Sequence, residues 1–333
     1  MPLDPQLLKK LSVAQPKEAW EQVIQRSLEI LTPSLPAGPK VEAEVAGRDR
    51  EIGQLDLILA SSAWDLWKDF GTGAVVLRNS DEIVKWWDKM PNGKAILILD
   101  GLSLREIPWI IEGAAKHGFS VHQNAVHASE LPGETNQFAQ ALGYNSRSQL
   151  QNNGGGGASK LQPAYTETVD MPWQDCEGIL PAEPNIIFWH HWPDSKVHAL
   201  SGLGDGLEKL TKDAATELTD EAFWSFVGRL AQGRRLLITS DHGYAATGYF
   251  PDATGEVGGY LKDTFSSGRS KLGSHEPGPF VPPVALSMHG PHGDCLMALG
   301  RQKWRNQGGY PTLTHGGLTL LEVLTPFIEL SKV

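Results

Sequence analysis

The sequence predicts a doubly wound α/β protein on a mostly parallel sheet. Short apolar runs alternate with segments of helical periodicity along most of the chain, as in successive βαβ units. Several runs are continuously apolar rather than alternating: "AILILD" (95–100), "NIIFWH" (185–190) and "LLITSD" (236–241). Strands buried on both faces of a parallel sheet read this way. These runs also stop on or just before acids and imidazoles, and ligands of open α/β sheets bind beyond the carboxyl ends of the strands.

Residues 1–32 read as one or two amphipathic helices, with Leu7, Leu8, Leu11, Trp20, Val23, Leu28 and Leu31 at roughly helical spacing. The Pro-rich "TPSLPAGPK" then serves as a connector. This gives an N-terminal helical segment and linker, 1–45, packed on a main domain, 46–333. "LDLILA" (55–60) and "AVVLRN" (74–79) are strand candidates. "AILILD" follows, then a helix over 105–117 and the strand "FSVHQNAV". "NNGGGG" (152–157) is a flexible loop. The segment 246–282 is rich in Gly, Ser and Pro and reads as a long loop or insertion, a candidate lid. "VALSMHGPHGDCLMALG" resembles a hairpin about Pro291–Asp294. "HGGLTLLEVLTPFIEL" reads as a closing amphipathic helix opened by glycines.

Bulk composition narrows the class. A chain of 333 residues can bury a sizeable core. Its formal net charge is −10, from 29 basic and 39 acidic residues, which argues against tight duplex DNA binding. The two cysteines, Cys176 and Cys295, form no CxxC pattern and suggest a reducing compartment. "MPLDPQLLKKL" lacks an apolar signal region, and no apolar run approaches a membrane span. The expectation is a cytoplasmic protein without a membrane partner.

The candidate chemistry lies at the strand ends. Asp100 ends one strand, and Asp241 with His242 ends another. In "HWPDSKVHAL", Asp194 and His198 are four apart and share a face if a helix starts at Pro193. His315 stands in "LTHGGL". Each has an ordinary structural reading: a loop turn, a surface helix, a capping histidine. Together they make three carboxylates and three imidazoles, the ligand chemistry of a two-metal site. Two divalent ions against three aspartates leave one net positive charge, which suits a phosphate anion in an acidic protein.

The order Asp, D-x-x-x-H, D-H and a late His resembles the alkaline phosphatase superfamily. Within it, "AILILDGLSLREIP", "ITSDHGY" and "LTHGGLTLLEVLTPFI" look most like the PglZ domain, known from bacterial phage-defence loci and some response regulators. The resemblance covers roughly residues 94–330. It implies an alkaline-phosphatase-like three-layer α/β/α sandwich with a mostly parallel central sheet. It implies one metal on Asp100, Asp241 and His242, and a second on Asp194, His198 and His315. Zinc is the expected ion and manganese the alternative. A Ser or Thr nucleophile at a helix N-terminus is also implied. Thr135 in "SELPGETNQFAQAL" matches best, with Ser103 and Ser129 as rivals, and with one threonine where the family pattern often has two.

The implied activity is metal-dependent hydrolysis of a small anionic phosphate ester or nucleotide, of phosphodiesterase or phosphatase type. Protein partners in a defence or signalling system go with it. A phosphomutase on the same site, and a non-catalytic metal-binding scaffold, are the alternatives. Arg105, Arg147 and Arg269 are candidates to pair with phosphate, or else surface residues. His190 and His191 are candidates to support the site. Trp189 and Trp192 are candidate stacking surfaces, Trp86 and Trp87 core residues, and His289 and His292 solvent-facing flanks of the hairpin.

Overall fold

The computed structural model describes residues 9, 11, 13–91, 93–155, 159–202, 204, 206–306 and 309–332. Among the described residues nine strands are assigned in chain order: β1 Lys94–Leu99, β2 Phe119–Ala128, β3 Tyr165–Val169, β4 Asn185–His190, β5 Arg235–Thr239, β6 Ser270–Leu272, β7 Ala285–Gly290, β8 Gly293–Ala298 and β9 Leu324–Lys332. Six of them form the central sheet, in the order β2-β9-β5-β1-β4-β3. β1 runs parallel to both β4 and β5, and β3 parallel to β4. β9 alone is reversed, pairing antiparallel with β2 and β5. The protein is therefore α/β with a mostly parallel central sheet.

The continuous apolar runs feed two cores, because successive side chains point to opposite faces. Ala95, Leu97 and Leu99 of β1 join Ile107, Ile110, Phe226 and Val227 on one side. Ile96 and Ile98 join Ile83, Trp86, Trp87 and Phe138 on the other. The same split divides Leu236 and Ile238 from Leu237 in β5. Helices thus cover both faces, which makes three layers. Trp86 and Trp87 are core residues, as expected.

At the N-terminus, the helix Pro16–Leu31 buries Trp20, Val23 and Leu31. Leu7 and Leu8 lie outside the described residues. The helix Val41–Ser61 runs unbroken through residue 45, where the sequence had suggested a boundary.

Three expected elements differ. "LDLILA" belongs to the helix Val41–Ser61, not to a strand. Val41, Val45, Ile52, Leu55, Ile58 and Leu59 are buried while Leu57 is 56% exposed, the period of a helix. A strand would have buried Leu55, Leu57 and Leu59 together. "AVVLRN" makes only a single bridge, Arg78 to Ala128, before the helix Asn79–Lys89 begins. The closing helix is confined to Leu320–Val323, and "LTPFIELSK" is strand β9. Pro326 could not donate a helical hydrogen bond. Thr325, Phe327 and Ile328 favour a pleated surface, and every residue from Leu324 to Leu330 is buried.

Residues 246–282 are more ordered than a loop. They contain the helix Gly255–Phe265 and strand β6. β6 joins β8 and β7 in a small antiparallel sheet over its own core of Leu261, Phe265, Leu296 and Trp304. β7 and β8 form the expected hairpin, with Gly290 opposite Gly293. Asn152 and Asn153 of "NNGGGG" close the turn Arg147–Asn153, and its last two glycines lie outside the described residues. Among the described residues, no helix is long and apolar enough to cross a membrane.

Candidate metal centre and active site

Asp100 follows directly on β1, and its N–H donates to the His190 carbonyl at 2.9 Å, extending the ladder with β4. Gly101 then turns the chain at φ +73°. A Cβ on Gly101 would meet the Asp194 Cβ at 3.1 Å, so glycine is required both for the turn and for the close approach. Asp194 N–H donates to the Asp100 carbonyl at 2.9 Å, and Gly101 N–H donates to Asp241 Oδ1 at 2.9 Å. The ends of β1 and β5 and the start of the helix Asp194–Ala199 are thereby stitched together by backbone groups.

β5 delivers Ser240, Asp241 and His242, none of them exposed. Asn79 Nδ2 clamps this exit by donating to Thr239 Oγ1 at 2.8 Å and the Ser240 carbonyl at 2.6 Å. His242 Nδ1 lies 2.9 Å from the Gly243 carbonyl, which makes Nδ1 the donor and leaves Nε2 as the coordinating atom. A Cβ on Gly243 would stand 2.2 Å from the Leu321 carbonyl.

His315 is held by its own loop. Nδ1 lies 3.1 Å from the Gly133 carbonyl, and the ring stacks on His242 at 4.2 Å between centroids. Gly316 adopts φ +93°, and a Cβ on Gly317 would press on Arg269 at 2.5 Å. Under this turn sits Glu322, fully buried. It accepts from Arg269 Nε at 2.8 Å, Gly317 N–H at 2.8 Å and Thr319 Oγ1 at 2.7 Å. The "THGG" glycines are thus explained by packing over this buried ion pair.

Two groups of ligand-type atoms result: Asp100, Asp241 and His242, and Asp194, His242 and His315. Within each, the atoms lie within 4.8 Å of one another. His242 Nε2 is 3.4 Å from Asp241 Oδ2 and 3.7 Å from Asp100 Oδ1. His315 Nε2 is 3.8 Å from Asp194 Oδ1. The structure therefore gathers five of the six residues expected from the sequence, with His242 common to both groups. His198 stands at the rim. Its side chain is 65% exposed, and Nε2 is 3.2 Å from Asp194 Oδ2.

These atoms suit divalent cations. Asp194 Oδ1, Asp241 Oδ2 and His242 Nε2 are buried without a hydrogen-bond partner. Such atoms are costly to leave alone, and here they face one another. The oxygen-and-imidazole set matches zinc or manganese. Burial raises the Asp100 carboxyl well above its usual range, and repulsion from Asp241 and Asp194 adds to it. Burial opposes a charge on His242, yet Asp241, Asp194 and Asp100 together raise its pKa to about 9. Negative charge is thus crowded among buried groups.

Thr135 is the first residue of the helix Thr135–Ala141, and Oγ1 donates to Asp100 Oδ1 at 3.3 Å. Ser103 and Ser129 are enclosed. Ser103 Oγ caps the turn Leu104–Glu106, and Ser129 Oγ donates to the Glu130 carbonyl at 2.9 Å. A cleft of about 1290 Å³ opens in front, lined by Thr135, Arg147, His191, Asp194, His198 and His315 among others. Ser267, Gly268, Ser270 and Leu272 of the 246–282 segment form part of its wall. Asp100, Asp241 and His242 lie buried behind that lining.

Several candidates fall elsewhere. Arg105 is buried on Asp49 and over the Tyr244 ring, and Arg269 is spent on Glu322. Neither faces the cleft, because each neutralises an internal carboxylate. Arg147 does face it and bonds Asp100 Oδ2. His190 is a packing residue. Nε2 donates to the Met171 carbonyl at 2.8 Å, and Nδ1 accepts the Trp192 N–H at 3.0 Å. His191 lines the cleft, with Nε2 3.0 Å from Thr168 Oγ1. Trp189 and Trp192 are buried and offer no stacking face to a ligand. Trp189 Nε1 instead donates to Asp100 Oδ2 at 2.9 Å. His289 is exposed, but His292 is tucked against Glu130 at 3.0 Å.

Sequence reasoning took Trp189 for a stacking surface and missed it as a donor to Asp100, and it did not single out Gly101. Period-two logic could have found the tryptophan: Asp100 lies two past Ile98, and Ile98 pairs with Trp189 across the β1–β4 register.

No family model matches the chain, and no curated protein matches it. Among solved structures it is similar to murine ectonucleotide pyrophosphatase/phosphodiesterase 5, at 12% identity and a TM-score of 0.42, over 72% of this chain and 88% of that one. That structure is an inactive variant in complex with AMP. Another structure of the same murine protein gives 12% identity and a TM-score of 0.42, over 71% and 87%.

Proposed function

We propose that this chain is a metal-dependent phosphoric-ester hydrolase, of phosphodiesterase or phosphatase type and of the PglZ kind within the alkaline phosphatase superfamily. The observation that carries the reading is the convergence of Asp100, Asp194, Asp241, His242 and His315 behind one cleft. Three of their buried ligand atoms lack partners, and Thr135 is hydrogen-bonded into the same group.

Two divalent ions there, zinc or manganese, would supply positive charge against the ester's anionic oxygens and lower the pKa of a nearby hydroxyl. The chain's own residues do the rest. Thr135 Oγ1 points its proton at Asp100 Oδ1, leaving its lone pairs toward the cleft. Attack on phosphorus forms the Oγ–P bond as the hydroxyl gives up its proton on the Asp100 side; the ester P–O bond breaks, and its oxygen leaves with the electron pair and takes up a proton as the alcohol. Water then attacks phosphorus, its oxygen leaves in the released phosphate or monoester, and its proton restores the Thr135 hydroxyl as the Oγ–P bond breaks. The Nδ1 contacts of His242 and His315 with backbone carbonyls hold both rings with Nε2 inward. His198, at the rim, is within reach of Asp194 to complete the second ligand set. A role in phage defence or signalling, with protein partners there, belongs to the same proposal and rests on the sequence resemblance; a cytoplasmic setting is proposed from the cysteine pattern.

The test is hydrolysis of aryl phosphate monoesters, phosphodiesters and sulfate esters by chelator-stripped protein, before and after zinc or manganese is returned. Turnover that depends on the metal supports the reading. Metal-loaded, folded protein that cleaves none of them refutes it.

A further inference from the structure

The three aspartates of the site are not equally ready for a cation. Asp194 Oδ1 and Asp241 Oδ2 are buried without hydrogen-bond partners. Asp100 keeps one acceptor site on Oδ1, 3.7 Å from His242 Nε2, but its Oδ2 is filled. Oδ1 accepts Thr135 Oγ1 at 3.3 Å, and Oδ2 accepts both Trp189 Nε1 at 2.9 Å and the Arg147 guanidinium. A cation held by Oδ1 must share the carboxylate's charge with the guanidinium, and one that also takes Oδ2 must displace one of its two donors.

The donors differ in what holds them. The Trp189 ring is fully buried and packs edge-on against Phe138 at 5.5 Å. Arg147 is 27% exposed and lines the cleft. Among the described residues, its guanidinium makes no other hydrogen bond. It stands at the first position of the turn Arg147–Asn153, which breaks helical geometry at Gln151 and Asn152. Arg147 is thus the donor free to leave, and the one whose charge mimics that of a metal ion.

We propose that Arg147 is a built-in counter-ion for Asp100 in the metal-free protein, displaced into the cleft when a divalent cation binds Asp100, Asp241 and His242. The inference rests on the metal site proposed above. It adds that loading this site is an exchange of one cation for another, so Arg147 weakens the first metal ion's binding. The Asp194 and His315 position has no such competitor on its free carboxylate oxygen.

The test is calorimetric titration of manganese into chelator-stripped wild type and Arg147→Gln, with melting of both in chelator. The variant should bind manganese at one site on the order of tenfold more tightly, with the other site unchanged. In chelator it should melt at a lower temperature, because Asp100 has lost its counter-ion. A merely structural arginine would lower the melting temperature without tightening the metal. A crystal structure of the zinc-loaded wild type should show the guanidinium beyond hydrogen-bonding distance of Asp100. Unchanged or weaker manganese binding in the variant, or a guanidinium still on Asp100 with zinc bound, overturns the exchange while leaving the metal site intact. Absence of metal binding in the wild type overturns both.

Discussion

Replacing Arg269 by methionine tests how the "THGG" loop is held. Arg269 and Glu322 are 2% and 0% exposed, with Nε 2.8 Å from Oε1. The guanidinium also donates to the Gln302 carbonyl at 2.9 Å and the Gly300 carbonyl at 2.8 Å. Methionine fills most of the volume but leaves the Glu322 carboxylate buried and short of its cation. Breaking a buried pair from one side costs about 3–5 kcal/mol. Dividing by an unfolding entropy of about 2.1 cal/mol/K per residue over 333 residues gives a fall in melting temperature of about 4–7 °C. Urea and thermal unfolding in chelator would read this directly. Adding Glu322→Gln to Arg269→Met should then cost little more, or recover part of the loss, since no buried charge remains there. Because Gly317 and Thr319 hang on the same carboxylate, the single variant should also bind metal less tightly through His315. An Arg269→Met protein within 1 kcal/mol of wild type would refute this account of the loop.

Three shorter expectations accompany it. Gly101→Ala should destabilise the protein by about 1–3 kcal/mol and lower metal content, because alanine meets both a φ of +73° and the Asp194 Cβ at 3.1 Å. A normally stable, fully metal-loaded variant would contradict that. Thr135→Ala should lower ester hydrolysis by at least about a thousandfold with metal content retained, while Thr135→Ser keeps measurable turnover; equal rates in all three would remove Thr135 from the chemistry. Burial holds the His190 imidazole neutral, lowering its pKa from 6.5 to about 4. Below pH 6.5 the unfolded chain takes up this proton first, so stability is full above that value and falls as pH drops toward about 4, by about 3 kcal/mol in all. His190→Asn should flatten this part of the pH–stability curve, and an unchanged slope would show that another group governs it.

The parts of the site carried by strand ends were legible because their signal is local. "AILILD", "NIIFWH" and "LLITSD" are apolar throughout since both sheet faces are covered, and the polar residue that ends each run is where the chain leaves the core. The Asp194–His198 pair was legible from its helical spacing. The errors share a cause. "LDLILA" lies in a helix buried on a broad face, so a six-residue window looked continuously apolar. In "LTPFIEL" the glycines before it suggested a helix start, whereas they serve the close packing of the loop over Arg269. Contacts between distant residues left no local trace. Arg147 reaches Asp100 across 47 positions, and Arg269 reaches Glu322 across 53. Sequence alone therefore set all three arginines on one footing, while the fold turns one to the cleft and spends the other two on buried carboxylates.

The proposed function stands or falls on the cluster of aspartates and histidines being a two-metal centre. Metal content per chain, measured by elemental analysis on freshly purified wild type beside Asp241→Ala, tests it most directly. Close to two divalent ions per wild-type chain and a clear fall in the variant are expected. A folded wild type that holds none, even after zinc or manganese is added, would contradict it.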